Sequence, residues 1–171
     1  MSDDSGGGDP IWVGPGAKER LGLMRATRTI AVVGASPNPA RASFFVATYL
    51  LASTDYETWF VNPVAAANGE TILGREVYPD LASLPVVPDL VDVFRKAHDT
   101  PEVAREAVAV GAKTLWLQLG VRSDEAAHIA EDGGLSVVMD RCLKIEHARF
   151  HGGLHLFGFD TGQISARKPR R

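Results

Sequence analysis

Residues 34–43, Gly34-Ala-Ser-Pro-Asn-Pro-Ala-Arg-Ala-Ser43, bring a glycine, two hydroxyls and a guanidinium into one short stretch. Such a set suits an anion. Where a strand turns into a helix, backbone N–H groups and the positive end of the helix dipole converge on one spot, and phosphate is the usual occupant. Gly34 permits close approach of a ligand to the backbone, Ser36 and Ser43 offer donors, and Arg41 can pair with phosphate through charge-assisted bonds. The plainer alternative is a surface turn in which Gly34 ends a strand and Ser43 caps a helix. A dinucleotide fingerprint would read G-x-G-x-x-G here, with an acidic residue closing the second strand. Instead Ala35 and Ser36 follow Gly34, Pro37 and Pro39 stand where further glycines would be, and residue 62 is Asn62. This counts against NAD. It leaves open NADP or another adenosine ligand with an extra phosphate, because an amide carries no charge to repel one.

A second candidate is Cys142, which stands near an expected helix start, where a helix dipole favours the thiolate. It could serve as a nucleophile or form a mixed disulfide with a ligand thiol. The favoured reading is a small buried hydrophobe, since free cysteine packs well inside. As the single cysteine it cannot form an internal disulfide, which agrees with a reducing compartment. His147 lies five residues on, off the helical face of Cys142, so the two do not make a pair. Lys144 and Glu146 read as surface or intersubunit polar groups, and His98 and His128 as solvated or packed. His151 and His155 are four apart, but Gly152-Gly153 between them argues against a helix, and no metal site is expected. Trp59, Phe60 and Trp116 read as core. Phe45 and Tyr49, four apart on one helix, are expected to face the sheet.

These residues matter only if the elements around them bring them together. Short β-branched runs at 29–34, 56–61, 90–94, 113–118 and 135–139 read as strands. Helical stretches at 17–27, 42–51, 100–110, 124–131 and 141–148 alternate with them. Residues 71–78 hold at most a small extended piece, and 80–84 a short helical turn. Thr100 is the expected N-cap of its helix, with Pro101 next and Gly111 as the stop; Ser123 and Asp140 are expected to cap the following two. The fold class that results is α/β: a Rossmann-like, doubly wound, five-stranded parallel sheet in a single domain. Residues 1–16 read as a flexible leader, 17–165 as the domain and 166–171 as a basic tail. In such sheets the ligand lies beyond the carboxyl ends of the strands, where strand order reverses.

Composition sets the outer bounds. The chain has 171 residues, 45% of them hydrophobic and 23% charged, which fits one folded domain. Lys and Arg number 18 against 21 Asp and Glu, a net charge of −3 that disfavours nucleic acid as a partner. No apolar run approaches the roughly 18 residues of a membrane span. The first ten residues lack the basic and apolar regions of a secretory signal, so the expected location is cytoplasmic.

Taken in order, Ile30-Ala-Val-Val-Gly-Ala-Ser-Pro37 with Pro39 and Arg41, Val61-Asn-Pro63, Ile72-Leu-Gly74, Tyr78-Pro79, Leu84-Pro85, Val91-Asp-Val-Phe-Arg95, Trp116-Leu-Gln-Leu-Gly120 and Val138-Met-Asp-Arg-Cys142 with Lys144, Glu146 and His147 form one joint pattern. Over about residues 28–150 it resembles the stand-alone CoA-binding domain family, which is similar to the CoA-binding domain of the succinyl-CoA synthetase α subunit. The resemblance implies coenzyme A or an acyl-CoA as ligand. On it, Gly34, Ala35, Ser36, Arg41 and Ser43 would meet the pyrophosphate. Asn62 and Pro63 would lie by the adenosine, Phe94 and Arg95 would line the next wall, and Gln118 and Gly120 would lead toward the pantetheine. The synthetase passes phosphate through a histidine in a second domain, for which this chain has no room. The reading is therefore a CoA-binding protein without a reaction of its own, working with an acyl-CoA enzyme. Its rivals are an NAD(P)-binding oxidoreductase or redox sensor, an acyl-CoA enzyme using Cys142, and an interaction module that has lost its ligand. The segment 151–164 lies outside the match, and no role is assigned to it.

Overall fold

The computed structural model describes residues 11–151. Helix α1 (Ala17–Ala26) leads into β1 (Thr29–Val33), four of whose five residues are buried. The chain continues through α2 (Ala42–Ser53), β2 (Glu57–Val61), α3 (Pro63–Ala67), β3 (Thr71–Ile72) and β4 (Arg75–Tyr78). It then forms β5 (Leu90–Val93), α4 (Thr100–Val110), β6 (Thr114–Leu117), α5 (Asp124–Asp132), β7 (Ser136–Val138) and α6 (Leu143–His151). The strands make one sheet in the order β3-β4-β2-β1-β5-β6-β7, parallel throughout except for the β3–β4 pair.

The alternation of side chains along each strand builds two cores. Ala31, Val33, Val91, Val93, Leu115 and Leu117 cluster with Ala104, Ala107, Ala126 and Ala130 of α4 and α5. Ile30, Val32, Leu90 and Trp116 point to the other face and cluster with Met24, Val46, Leu50, Leu143 and Phe150 of α1, α2 and α6. Helices thus cover both faces of the sheet, and strand order reverses between β1 and β5.

The sheet has seven strands where five were expected. The two extra strands form a hairpin, Ile72 opposite Arg75, joined by Leu73 and Gly74, both at positive φ (49° and 75°). Such two-residue turns are signalled by Asn-Gly or Asp-Gly, and Leu73 gave no such sign. The structure also corrects two caps. The Thr100 hydroxyl donates to the Ala97 carbonyl and accepts nothing from its own helix. Asp140, at φ 57°, accepts from the Gly120 N–H at 2.7 Å and lies two residues short of α6. Ser123 does cap α5, accepting from the Ala126 N–H.

Glu146 is buried, not a surface group. Arg20 Nε of α1 lies 3.0 Å away, Arg141 Nη1 3.3 Å and Arg149 Nη1 3.8 Å, so the carboxylate is surrounded by guanidinium groups and ties α6 to α1. Of the expected leader, residues 11–16 are described, and there the Trp12 indole donates to Glu131 at 2.7 Å. Residues 1–10, His155 and the basic tail 166–171 lie outside the described residues. No described helix is long and apolar enough to cross a membrane.

Candidate functional site

A cavity of about 970 Å³ opens at the carboxyl ends of β1, β2, β5 and β6, where strand order reverses. Its floor starts at Gly34. The N–H groups of Gly34 and Ala35 both donate to the Val61 carbonyl, at 2.9 and 3.3 Å. Those two amides therefore tie the loop to β2. A Cβ on Gly34 would stand 2.5 Å from the Phe94 carbonyl oxygen, and its φ is +81°. Glycine is required here by the backbone that follows β5 and by the positive φ.

The loop is held open by its own polar side chains. Ser43 Oγ, buried at the start of α2, accepts from the Ser36 N–H at 3.0 Å, which leaves its hydroxyl hydrogen free to donate. Ser36 Oγ accepts from the Asn38 N–H, and Asn38 Oδ1 from the Ala40 N–H. Asn62 plays a double part. Its Oδ1 caps α3 by accepting from Val64 and Ala65, while its Nδ2 donates to the Ala35 carbonyl at 2.8 Å. The amide that ends β2 thus fixes the loop that ends β1.

Of the eleven residues singled out by the sequence, Gly34, Ser36, Arg41, Ser43, Asn62, Phe94, Arg95 and Gln118 line this one cavity. Ala35 is fully buried behind it, and Pro63 and Gly120 are not among the lining residues. Lys96, Leu119 and Cys142 lie within the strand ends at 94–98, 118–120 and 140–142 that the sequence marks for a ligand, but Lys96 and Leu119 were given no role there; Val121 and Ile145 were missed, and Lys144 and Phe45 were read otherwise. Lys144 lines the cavity, with its Nζ 3.6 Å from the centroid of the Phe45 ring. Phe45 does not face the sheet: it is turned outward to the rim and is exposed. The signal for Lys96 was its place directly after Arg95, at a strand end. For Lys144 it was its place in the joint pattern after Cys142, and for Ile145 there was none short of the packing of α6 beside α2.

Electrostatics favour an anion. Arg41, Arg95, Lys96 and Lys144 all line the cavity, and among the described residues no carboxylate does so. Arg95 also pairs with Asp99 at 3.4 Å. Behind Gln118 lies Asp92, whose Oδ1 accepts from Gln118 Nε2 at 2.7 Å and whose Oδ2 is buried without a partner. Burial pushes this carboxyl up to about 8, with the Gln118 bond opposing the rise. Around α6, Tyr49 Oη stands 2.7 Å from His147 Nδ1, and His147 stacks on His151 with centroids 4.0 Å apart. No group of three or more metal-ligating side chains occurs among the described residues.

A family model described as "CoA binding domain" matches residues 28–148. The chain is 32% identical to the uncharacterized protein YneT of Bacillus subtilis (strain 168) over 134 residues, 78% of this chain and 96% of that one. Among solved structures, a hypothetical protein from Pyrococcus horikoshii OT3 is 34% identical, with a TM-score of 0.74, over 80% of this chain and 92% of its own. A Thermus thermophilus protein is 33% identical, with a TM-score of 0.73, over 79% and 98%.

Proposed function

The chain belongs to the CoA-binding domain family, and from that premise we propose that it binds coenzyme A across the carboxyl ends of β1, β2, β5 and β6, without a reaction of its own. The observation that carries this reading is the lining of the cavity, four cations and no carboxylate among the described residues. CoA has a pyrophosphate and a ribose 3′-phosphate, so it asks for that balance of charge. In the proposed pose the pyrophosphate meets Ser36, Arg41 and Ser43 at the start of α2, where the helix dipole adds to the attraction. The adenosine lies toward Asn62 and Pro63. Phe94, Arg95 and Lys96 form the next wall, and the pantetheine runs past Gln118 toward Cys142.

A neutral Asn62 supports CoA over NAD, whose free ribose diol is usually held by a carboxylate. The test is a titration of the parent protein with CoA, dephospho-CoA and NAD, repeated on Asn62→Asp. A new charge about 6 Å from the 3′-phosphate repels it by roughly 3 kcal/mol at an effective dielectric near 20, before salt screening. CoA should therefore lose far more affinity for the variant than dephospho-CoA does. The ratio within one variant cancels damage to the loop that Asn62 holds. Tighter binding of NAD than of CoA by the parent would overturn the reading.

A further inference from the structure

The two ends of the cavity differ in chemistry. On the side of β1 and β2 it is walled by Ser36, Arg41, Ser43 and Asn62. On the side of β6 and α6 it is walled by Leu119, Val121, Cys142 and Ile145, with Phe45 of α2 joined to α6 by the Lys144 ammonium over its ring. Three of these side chains are exposed: Phe45 is 62%, Leu119 65% and Ile145 55% accessible. They come from α2, from the loop after β6 and from α6, yet all three border one cavity. The other large apolar side chains exposed among the described residues, such as Ile11, Val64 and Val87, do not line it. Clustered exposure of this kind marks a surface that meets something apolar.

We propose that this end of the cavity receives the acyl group of a CoA thioester, so that the ligand is an acyl-CoA with an apolar chain of medium length. The inference rests on the reading of the cavity as a CoA site. CoA holds its phosphates at one end and its sulfur at the other. With the phosphates at the start of α2, the sulfur points toward β6 and α6, and whatever it carries meets Leu119 and Ile145, with Phe45 in the first turn of α2 bordering the path between the two ends. Free CoA or an acetyl group leaves those three side chains in water, whereas a longer chain covers them. Lys144 suits the same place, because its stem is apolar and its ammonium rests on an aromatic face. A second copy of this chain could also cover the patch, but that would not account for its lining the same cavity as the four cations.

The experiment is calorimetric titration of the full chain with CoA, acetyl-CoA and octanoyl-CoA below the micelle concentration, on the parent and on a Leu119→Ser, Ile145→Ser variant. Both substituted side chains are exposed, so folding should survive, and thermal melting checks it. Each methylene fully removed from water strengthens binding about fourfold, so covering only two of the added carbons gives more than tenfold. The parent should bind octanoyl-CoA at least tenfold more tightly than acetyl-CoA. In the variant that ratio should fall below about threefold. Equal affinities in the parent, or a ratio unchanged in the variant, would overturn the proposal. So would sedimentation showing a parent dimer that the variant loses, together with no preference for octanoyl-CoA. Failure of the parent to bind CoA in any form is a different result, because it removes the CoA site itself.

Discussion

Arg41 illustrates a residue whose chemistry is open to reading but whose surroundings are not. It precedes α2 in extended backbone, caps nothing with its side chain, and lines the cavity as an exposed guanidinium. Because no side-chain hydrogen bond or ion pair of Arg41 is formed among the described residues, Arg41→Ala should leave the denaturant midpoint unchanged while weakening CoA binding by about 1.5 kcal/mol, or roughly tenfold. Calorimetry giving the same Kd for both proteins would remove Arg41 from the site. Asp92 is the opposite case, a carboxyl with no access to water. Its folded value near 8 lies above an unfolded value near 4, so the folded chain keeps a proton that the unfolded chain sheds. The stability it contributes is fully present below about pH 4 and is lost as pH rises toward about 8. Urea midpoints at pH 5 and pH 8 should therefore decline more for the parent than for Asp92→Asn. Parallel declines would mean that the carboxyl is ionised in the folded protein.

At the scale of elements, α6 does the most that its sequence did not announce. It packs beside α2, supplies Lys144 and Ile145 to the cavity, and is anchored by Glu146 to Arg20 of α1. Its second half carries a titrating contact. Burial first, and then the charge of His151, hold His147 down to about 4, so the folded protein keeps it neutral beside Tyr49 and Tyr56. A lowered value has the opposite sign to that of Asp92. The stabilising contribution is complete above the unfolded value of about 6.5 and is lost as pH falls toward 4. His147→Gln should accordingly flatten the acid side of the stability profile between pH 6.5 and 4. Thermal melts that fall equally steeply in both proteins would assign the acid lability to other groups.

For the molecule as a whole, the site is a seam between elements that share no local sequence. Gly34 directly follows β1, Asn62 β2, Phe94 β5 and Gln118 β6, and one ligand spanning them should bind only the folded state. CoA at one hundred times its Kd should then add about 2.7 kcal/mol to stability, which for a domain of this size raises Tm by roughly 5–10 °C. Dephospho-CoA at the same concentration should raise it less. A Tm that CoA does not move would contradict a site formed at the carboxyl ends of several strands.

How much of this was legible depends on the range of the interactions. The five strands β1, β2, β5, β6 and β7 and the five longer helices follow from periodicity, and the polar loop after β1 from residue types within ten positions, because local geometry and short-range donors decide both. The hairpin at 71–78 escaped, since Leu73 is not a residue that signals a positive-φ turn and the core into which Ile72 packs is assembled by distant elements. The reasons behind familiar residues escaped as well. Gly34 is required by the Phe94 carbonyl of another strand, Asn62 is spent on a cap and on the Ala35 carbonyl, and Phe45 turns away from the sheet toward Lys144 of α6. Sequence by itself determined which residues offer hydroxyl, amide and guanidinium donors at the ends of the strands. Only the tertiary structure decided that Lys96, Lys144, Leu119 and Ile145 share a cavity with them, because strand order and helix packing set those distances, and neither is written in the spacing along the chain.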